Sequence, residues 1–235
     1  IMVILANGMA ARGHRVDLVL TQAIGPYLPD VADNVRIVDL KRRRVLASLL
    51  PLARYLRRER PEAMLSALNH ANIIAILARK LARSRTRLVV SERNSLSARS
   101  DGLVGRAIRT LMRRLYPAAD RVVCVSRAMA SEMHDLLGIH QSKLSTIHNP
   151  LEIDKVRHRA GAPADHPWLT DHTAPVILAA GRLTRQKDYP TLLDAFARLR
   201  KDRDARLIIL GQGEEEAQLK ALAGKLGIAD DVSVA

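Results

Sequence analysis

Short runs of β-branched and aliphatic residues alternate along this chain with longer stretches of helical hydrophobic period. Such alternation is typical of strands that lie parallel in a sheet and are connected by crossover helices. The sequence therefore predicts an α/β protein with parallel sheets. The predicted strands are 15–20, 35–40, 63–67, 88–91, 121–125, 143–148, 176–180, 206–210 and one that begins near Val232, and the predicted helices are 1–12, 45–60, 69–82, 104–116, 126 or 127 to 137, 189–200 and 214–226.

The alternation is interrupted between Asn149 and Pro175 by a stretch that is rich in Pro and Gly and has no sustained period. Such composition indicates a connection between domains. We therefore predict a first Rossmann-like domain over 1–150, a connection over 151–175 and a second Rossmann-like domain over 176–235. The second domain has roughly 60 residues, which is short of the ~100 typical of a domain. Both chain ends lie inside predicted elements, so we expect a truncation at each end and a second domain that lacks several strands.

The chain carries a formal net charge of +14, and its basic residues concentrate in the first half, as in Lys41–Arg44. Three explanations of this charge remain open: a solvated basic face, a nucleic-acid partner and an anionic membrane surface. Aromatic residues make up only 3% of the chain, which leaves few platforms for base stacking, and no nucleic-acid motif accompanies the charge. We therefore predict no nucleic-acid partner, and the membrane surface is the better fit.

Helix 104–116 is the predicted membrane contact, because apolar residues lie along one side of it and arginines surround them. The alternative is an ordinary amphipathic helix that packs on the sheet. The apolar side consists of Ile108, Leu111, Met112 and Leu115.

Cysteine content and hydropathy indicate the compartment. Cys124 is the single cysteine and lies in an apolar run, which excludes a disulfide framework and favours a reducing compartment. No run of about 18 uncharged apolar residues is present, so the sequence predicts no membrane span. We expect a cytoplasmic protein that is peripheral on the inner face of the cytoplasmic membrane.

Residues that directly follow predicted strands are the candidate site, because ligands of open α/β sheets bind outside the carboxyl ends of the strands. The loop Gly181–Asp188 follows the seventh predicted strand and combines a glycine, the cations Arg182 and Lys187, and the start of a helix. These features suit a diphosphate, and the alternative is a basic surface loop. Gly211 and Gly213 follow the eighth strand and form either a tight turn or a second wall of the same nucleotide site.

Polar residues also follow two strands of the first domain. Asn69 and His70 come after the third predicted strand, where the imidazole can hydrogen-bond a sugar hydroxyl or a phosphate, and Asn69 is the predicted N-cap of the next helix. Glu92 and Asn94 belong to the segment Ser91–Ser95 after the fourth strand. They are predicted to bind the acceptor or to cap the following segment.

Motifs for metals and covalent catalysis are absent from the sequence. There is no Asp-x-Asp pair in a metal-binding context, no His and Cys cluster with ligand spacing, no Gly-x-Ser-x-Gly and no Walker loop. The sequence predicts no metal site, no cofactor and no covalent nucleophile.

Four segments of the chain resemble retaining glycosyltransferases of family 4. ILAAGRLTRQKDYPTLLDAFARL, at 177–199, resembles the donor-phosphate segment of that family, and LIILGQGEEEAQLKALAGKLGIADDVSVA, at 207–235, resembles the family's next segment along the chain. VVCVSRAMASEM and STIHNPLEID are similar to the last strands and the crossover of the family's first domain. The resemblance covers essentially the whole chain.

The resemblance implies a metal-independent enzyme of the two-domain GT-B fold, with the nucleotide-sugar donor mainly in the second domain and the acceptor in the first. Arg182 and Lys187 match the family's pair that neutralises the donor diphosphate, and they would stabilise the leaving nucleoside diphosphate. His70 matches the acceptor-side histidine near the transferred sugar. The segments SALNHAN and SERNS are most similar to subfamilies that add N-acetylhexosamine or hexose to lipid-linked oligosaccharides.

Two segments of the family pattern are absent. The family's first strand with its glycine-rich loop would precede Ile1, and its paired glutamates at a spacing of seven intervening residues would follow Ala235. Glu214–Glu216 do not have that spacing. We therefore expect the full-length protein to be an enzyme and this chain alone to be inactive or nearly so.

The function predicted from the sequence is retaining transfer of a hexose or N-acetylhexosamine from a nucleoside-diphosphate sugar, with UDP as the expected nucleotide. The expected acceptor is a lipid-linked or cell-surface glycan, as in lipopolysaccharide and polysaccharide biosynthesis. The alternatives are a nucleotide-sugar epimerase of the same fold, a basic nucleic-acid-binding protein and a nucleotide-sugar-binding module without catalysis.

Overall fold

A computed structural model of the chain describes residues 1–94, 102–171 and 173–234. The chain divides into two compact units, which we call unit 1 (Ile1–Ile153) and unit 2 (Asp154–Ala235). Every strand pair in the described ranges is parallel, which confirms the predicted fold class. None of the helices in the described part of the chain is long and apolar enough to cross a membrane.

Unit 1 contains two hydrogen-bonded parallel sheets, and α-helices connect its strands from the second strand onward. The elements in chain order are α1 (Met2–Ala11), β1 (Val16–Leu20), β2 (Val35–Asp39), α2 (Leu49–Glu59), β3 (Ala63–Ala67), α3 (Asn69–Ala82), β4 (Arg87–Glu92), α4 (Leu103–Leu115), β5 (Arg121–Cys124), α5 (Arg127–Leu137) and β6 (Leu144–Thr146). One sheet pairs β1 with β2, and the other has the order β3-β4-β5-β6.

Unit 2 contains one parallel sheet with the order β7-β8-β9. A helix α6 (Ile153–Ala160) runs across the unit boundary, and the remaining elements are α7 (Pro167–Thr170), β7 (Val176–Ala180), α8 (Tyr189–Asp202), β8 (Arg206–Leu210), α9 (Glu216–Lys225) and β9 (Val232–Val234). Its core is formed by β8, α8 and α9, and the fully buried side chains at its centre are Leu183, Leu193, Leu207 and Ile209.

Helix ends in unit 1 follow the sequence signals. Gly13 and Gly138 lie just after α1 and α5 with φ of 86° and 68°, a left-handed conformation that glycine adopts without steric cost. Ser126 caps α5, because its hydroxyl accepts a hydrogen bond from the Met129 amide at 3.2 Å. Cys124 is fully buried in β5, as its apolar surroundings predict.

The predicted helix 45–60 is only partly α-helical. Val45–Ser48 form a 3-10 turn, and the α-helix begins at Leu49. Pro51 explains the difference, because its ring excludes an α-helical carbonyl at residue 47 and its missing N–H is tolerated only in a first turn.

Two helices, α6 and α7, lie within the predicted connection over 151–175, where the sequence pattern predicted none. α6 has only eight residues and none of them is buried, so its few apolar positions do not establish a helical period. α7 starts with Pro167, and the His166 side chain caps it by accepting from the Trp168 amide at 3.2 Å.

The apolar side of α4 packs within the protein. Met112 is fully buried, Leu115 is 9% exposed, and Ile108 packs against the same core of unit 1. Of the predicted apolar side only Leu111 is exposed, at 41%. The structure therefore supports the alternative of an ordinary amphipathic helix, and the apolar stripe of α4 is not available as a membrane contact.

A cluster of charged and polar groups connects β1, β2 and α2. The Asp17 carboxylate accepts from Arg36 Nε at 2.9 Å and from the Tyr55 hydroxyl at 2.5 Å, and Arg36 also pairs with Glu59 at 3.0 Å. The hydrogen bonds from Arg36 hold the pKa of Asp17 below its ordinary value, although burial opposes the change. Burial and the bond to Asp17 raise the pKa of Tyr55 to about 12.

We predict that Asp17→Asn destabilises unit 1. The free energy of unfolding at pH 7 should fall by about 1–2 kcal/mol, because two charge-assisted hydrogen bonds are lost at a partly exposed site. Folding lowers the Asp17 pKa, so its contribution is complete above the ordinary carboxyl pKa of about 4 and disappears as the pH falls through the folded-state value.

Urea unfolding of the wild type and Asp17→Asn, followed by circular dichroism at pH 7 and pH 3, measures this difference. Asp33→Asn, at an exposed carboxylate, is the control and should change stability by less than about 0.5 kcal/mol. A difference between wild type and Asp17→Asn that does not shrink at the lower pH would contradict the role of the carboxylate.

Candidate functional site

The two glycine loops of unit 2 lie side by side at the carboxyl ends of β7 and β8. Gly181 N–H donates to Leu210 O at 2.9 Å, and Leu183 N–H donates to Gln212 O at 3.0 Å. Leu183 O in turn accepts from the Glu215 amide at 3.1 Å. The loop after β7 and the loop after β8 are therefore joined through their backbones.

Gly211 and Gly213 are required for this contact between the loops. A Cβ on Gly211 would lie 1.9 Å from Gly181 O, and a Cβ on Gly213 would lie 2.1 Å from Leu183 O. Gly211 also has φ of 156°, which L-residues rarely adopt. The close approach that these glycines permit is between two protein backbones.

The predicted cations lie on the loop after β7. Arg182 and Lys187 are exposed, and no hydrogen bond or ion pair joins either side chain to another residue in the part of the chain that the structure describes. Lys187 folds back over Gly181, since a Cβ built on that glycine would lie 3.3 Å from Lys187 Cε. The buried Tyr189 stabilises the loop, because its hydroxyl donates a hydrogen bond to Gly181 O at 3.2 Å.

We predict that Gly213→Ala destabilises unit 2 by at least about 2 kcal/mol, because a carbonyl oxygen occupies the position of the new methyl group. Gly224→Ala is the matched control, since Gly224 lies in α9 and nothing stands within 4 Å of its added Cβ. That control should stabilise the unit by about 0.5–1 kcal/mol through helix propensity. Trp168, the single tryptophan, reports urea unfolding of unit 2 by fluorescence. Equal stability of Gly213→Ala and wild type would show that the loops separate readily.

His70 lies in unit 1 at the start of α3, beyond the carboxyl end of β3. Its side chain is exposed, and its Nδ1 lies 3.1 Å from Asn69 Oδ1. Leu68, the residue between strand and helix, has φ of 76°. This conformation is strained for a leucine, and such strain is concentrated at functional sites.

The prediction that Asn69 is the N-cap of α3 is wrong. Leu68 occupies the cap position and Asn69 is the first helical residue, 5% exposed. The reason is the positive φ of Leu68, which turns the chain into the helix one residue earlier. Asn69 still satisfies one free amide of the first turn, because its Oδ1 accepts from His70 N at 2.8 Å.

Glu92 is the last residue of β4, whereas the sequence pattern predicted it in the loop after that strand. It is 1% exposed, and its Oε1 accepts from Asn72 Nδ2 at 2.9 Å and from the Tyr116 hydroxyl. Asn72 Nδ2 also lies 3.0 Å from Ser91 O. Glu92 therefore connects the first turn of α3 with the end of β4 and with Tyr116 after α4.

The Glu92 carboxylate also acts on its neighbour in the sheet. Cys124 pairs with Glu92 in the β4–β5 register, and burial together with this carboxylate raises the pKa of the thiol to about 11. Asn72 and Tyr116 were missed by sequence reasoning, because an apolar helical pattern surrounds each of them. Asn94 is exposed after β4, and Ser95 lies outside the described residues.

No group of His, Cys, Asp and Glu residues within 1–94, 102–171 and 173–234 is arranged to hold a metal ion. The polar groups at the two edges are side chains: the cations Arg182 and Lys187 in unit 2, and His70 with Asn69 in unit 1. Parallel α/β units with polar loops after their strands belong to the class of open α/β proteins, which bind ligands beyond the carboxyl ends of their strands.

The chain belongs to glycosyltransferase family 4. Residues 2–155 match the model described as Glycosyltransferase Family 4, and residues 164–235 match the model described as Glycosyl transferases group 1. The family membership confirms the resemblance seen in the sequence.

Two curated relatives are similar to the chain. It is 29% identical over 170 residues to the N-acetylgalactosamine-N,N'-diacetylbacillosaminyl-diphospho-undecaprenol 4-alpha-N-acetylgalactosaminyltransferase of Campylobacter jejuni, a match that covers 70% of this chain and 43% of the relative. It is 26% identical to the amylovoran biosynthesis glycosyltransferase AmsD of Erwinia amylovora, over 92% of this chain and 58% of the relative. The chain thus spans about half the length of the curated relatives it matches.

Two solved structures have a fold similar to that of the chain. Anabaena Alr3699/HepE in complex with UDP-glucose has a TM-score of 0.71 at 19% identity, over all of this chain and 64% of that one. The sucrose-phosphate synthase of Thermosynechococcus elongatus has a TM-score of 0.73 at 15% identity, over 99% of this chain and 63% of that one. These matches confirm the predicted GT-B fold class.

Proposed function

We propose that the protein is a retaining glycosyltransferase that moves a hexose or N-acetylhexosamine from a UDP-sugar to a lipid-linked or cell-surface glycan. Family membership supports the reaction class and favours glycosyl transfer over the epimerase alternative. The donor half of the proposal rests on the loop that carries Arg182 and Lys187. Backbone hydrogen bonds to the loop after β8 hold it at the carboxyl ends of β7 and β8.

Arg182 and Lys187 have an electrostatic role in this proposal. Breaking the bond between sugar and diphosphate leaves negative charge on the nucleoside diphosphate, and cations fixed near it lower the energy of the transition state. Neither side chain is engaged by a described carboxylate, so both charges are available to a ligand. The two cations would take the place of a metal ion, and we expect the reaction to need none.

The acceptor half of the proposal rests on unit 1. His70 is exposed beyond β3, where a ligand of an open sheet binds, and the strained Leu68 and the Glu92 network fix the turn that carries it. We assign His70 to the acceptor side, near the transferred sugar, with Asn69 and Asn94 beside the same strand ends. The Campylobacter relative is named for an acceptor linked to diphospho-undecaprenol, which supports a lipid-linked acceptor here.

Calorimetric titration of the intact protein with UDP and a panel of UDP-sugars tests the donor site. Arg182→Ala and Lys187→Ala should each weaken UDP binding at least tenfold, because a charge-assisted bond to phosphate is lost. Arg198→Ala is the matched control, since Arg198 is an exposed cation on α8, and it should bind UDP within about twofold of wild type. Absence of binding to UDP, GDP and ADP alike would overturn the glycosyltransferase proposal.

An anionic membrane surface is the partner that we propose for unit 1. Residues 1–153 contain 25 Lys and Arg against 12 Asp and Glu, whereas residues 154–235 contain 13 against 12. Nearly all of the net charge of +14 therefore belongs to the acceptor-side unit. Because the apolar face of α4 is packed in the core, the attraction in this proposal is electrostatic, and the site is the inner face of the cytoplasmic membrane.

Sedimentation of the intact protein with phosphatidylcholine vesicles that contain 0 or 30% phosphatidylglycerol tests this partner. Replacing the exposed Arg42–Arg44 by Gln should weaken binding to anionic vesicles, by up to about 1 kcal/mol per residue. The control replaces Arg198, Lys201 and Lys225 of unit 2 by Gln and should leave binding unchanged. Binding that does not depend on anionic lipid would exclude the proposed surface.

A further inference from the structure

Arg93 is a partly buried cation at the carboxyl end of β4, directly after Glu92. Its Nη1 donates to Asn149 Oδ1 at 2.7 Å, and its Nη2 lies 4.0 Å from Met2 Sδ. These contacts hold the guanidinium between the end of β4, the start of α1 and the chain beyond β6.

One edge of this guanidinium lacks a proper acceptor. Arg93 Nε is buried and has no hydrogen-bond partner among the described residues, and no carboxylate in the same ranges forms an ion pair with the side chain. Burial lowers the pKa of Arg93. A buried donor without an acceptor is costly, and a cation partly withdrawn from water without a counter-charge adds to that cost. A ligand that supplies both would remove the cost.

The free edge has the geometry of an oxyanion site. In a guanidinium, the Nε–H and one Nη2 N–H point in the same direction and match two oxygens of a phosphate or carboxylate. Nη2 has only a thioether sulfur as neighbour, which is a weak acceptor on a flexible side chain that an oxyanion can displace. Asn149 holds the opposite edge and so fixes the orientation of the fork.

We propose that Arg93 binds a phosphate group of the acceptor substrate through its Nε and Nη2 edge. This inference rests on the proposed function, in which the donor diphosphate is bound by Arg182 and Lys187 of unit 2. A second phosphate site in unit 1 then belongs to the acceptor and defines it as a phosphate-linked lipid. His70 and Arg93 follow adjacent parallel strands, β3 and β4, so the acceptor's sugar and its phosphate are bound at the same sheet edge.

Binding of three small probes to the intact protein tests the site: geranyl diphosphate, a soluble isoprenyl diphosphate; inorganic pyrophosphate; and geraniol, which lacks the phosphates. Wild type should bind geranyl diphosphate and pyrophosphate but not geraniol. With the donor site saturated by UDP, Arg93→Gln should weaken both anions at least tenfold, and it should leave the affinity for UDP itself within twofold. Arg182→Ala should show the reverse pattern.

Two variants distinguish the effect of the two-donor edge of Arg93 from the effects of net charge and of folding. Arg93→Lys keeps the charge but not the two-donor edge. We expect it to bind geranyl diphosphate and pyrophosphate severalfold more weakly than wild type, at an unchanged melting temperature. It replaces Arg93→Gln in the test if that variant does not fold. Arg54→Gln removes one exposed cation of α2, which changes the net charge equally, and should bind all probes as wild type does.

The outcomes distinguish this site from the donor site. If geranyl diphosphate binds equally to Arg93→Gln and wild type, or if Arg54→Gln weakens it as much, the inference is wrong whatever UDP does. If Arg93→Gln weakens UDP instead, the phosphate is that of the donor and the assignment to the acceptor falls. If UDP does not bind but geranyl diphosphate binds through Arg93, the phosphate site stands and the proposed transferase does not.

Discussion

Parallel pairing of the strands determines where this protein can bind a ligand. Each parallel connection needs a crossover, so every strand within a sheet ends at the same edge, and the residues after the strands are collected there. In unit 2 that edge carries the cationic loop, and in unit 1 it carries His70 and Arg93. The positions of these side chains in both units therefore depend on backbone hydrogen bonds in which the side chains take no part.

Tight backbone contacts and buried polar groups hold the two edges in shape by different means. The edge in unit 2 is fixed by carbonyl and amide groups around Leu183, and this leaves no space for a side chain at Gly211 or Gly213. The edge in unit 1 is fixed by the buried hydrogen bond between Asn72 and Glu92. A loop whose backbone is already bonded does not have to be ordered when a ligand binds, which lowers the entropic cost of binding.

Much of the fold could be predicted from the sequence because its signals are local. Strands Ala63–Ala67, Val176–Ala180 and Arg206–Leu210 have the predicted bounds, and Gly138 ends its helix as predicted. The loop of Arg182 and Lys187 was found for the same reason, since a glycine and two cations directly after a strand are neighbours in sequence. Local signals failed in α6, which is too short to establish a helical period, and where a proline delays a helix, as before Leu49.

The sequence by itself determined the parallel α/β class, the position of the loops after the strands, the family and the excess of positive charge in unit 1. The tertiary structure decided what those residues contact. Asn72 and Tyr116 meet although 44 positions separate them, and Arg93 and Asn149 meet across 56. Contacts between residues that are far apart in sequence also bury Glu92 and pack the apolar face of α4. They likewise leave one edge of Arg93 without an acceptor. Hydrogen bonding and burial depend on which groups surround a side chain, and only the folded chain brings those groups together.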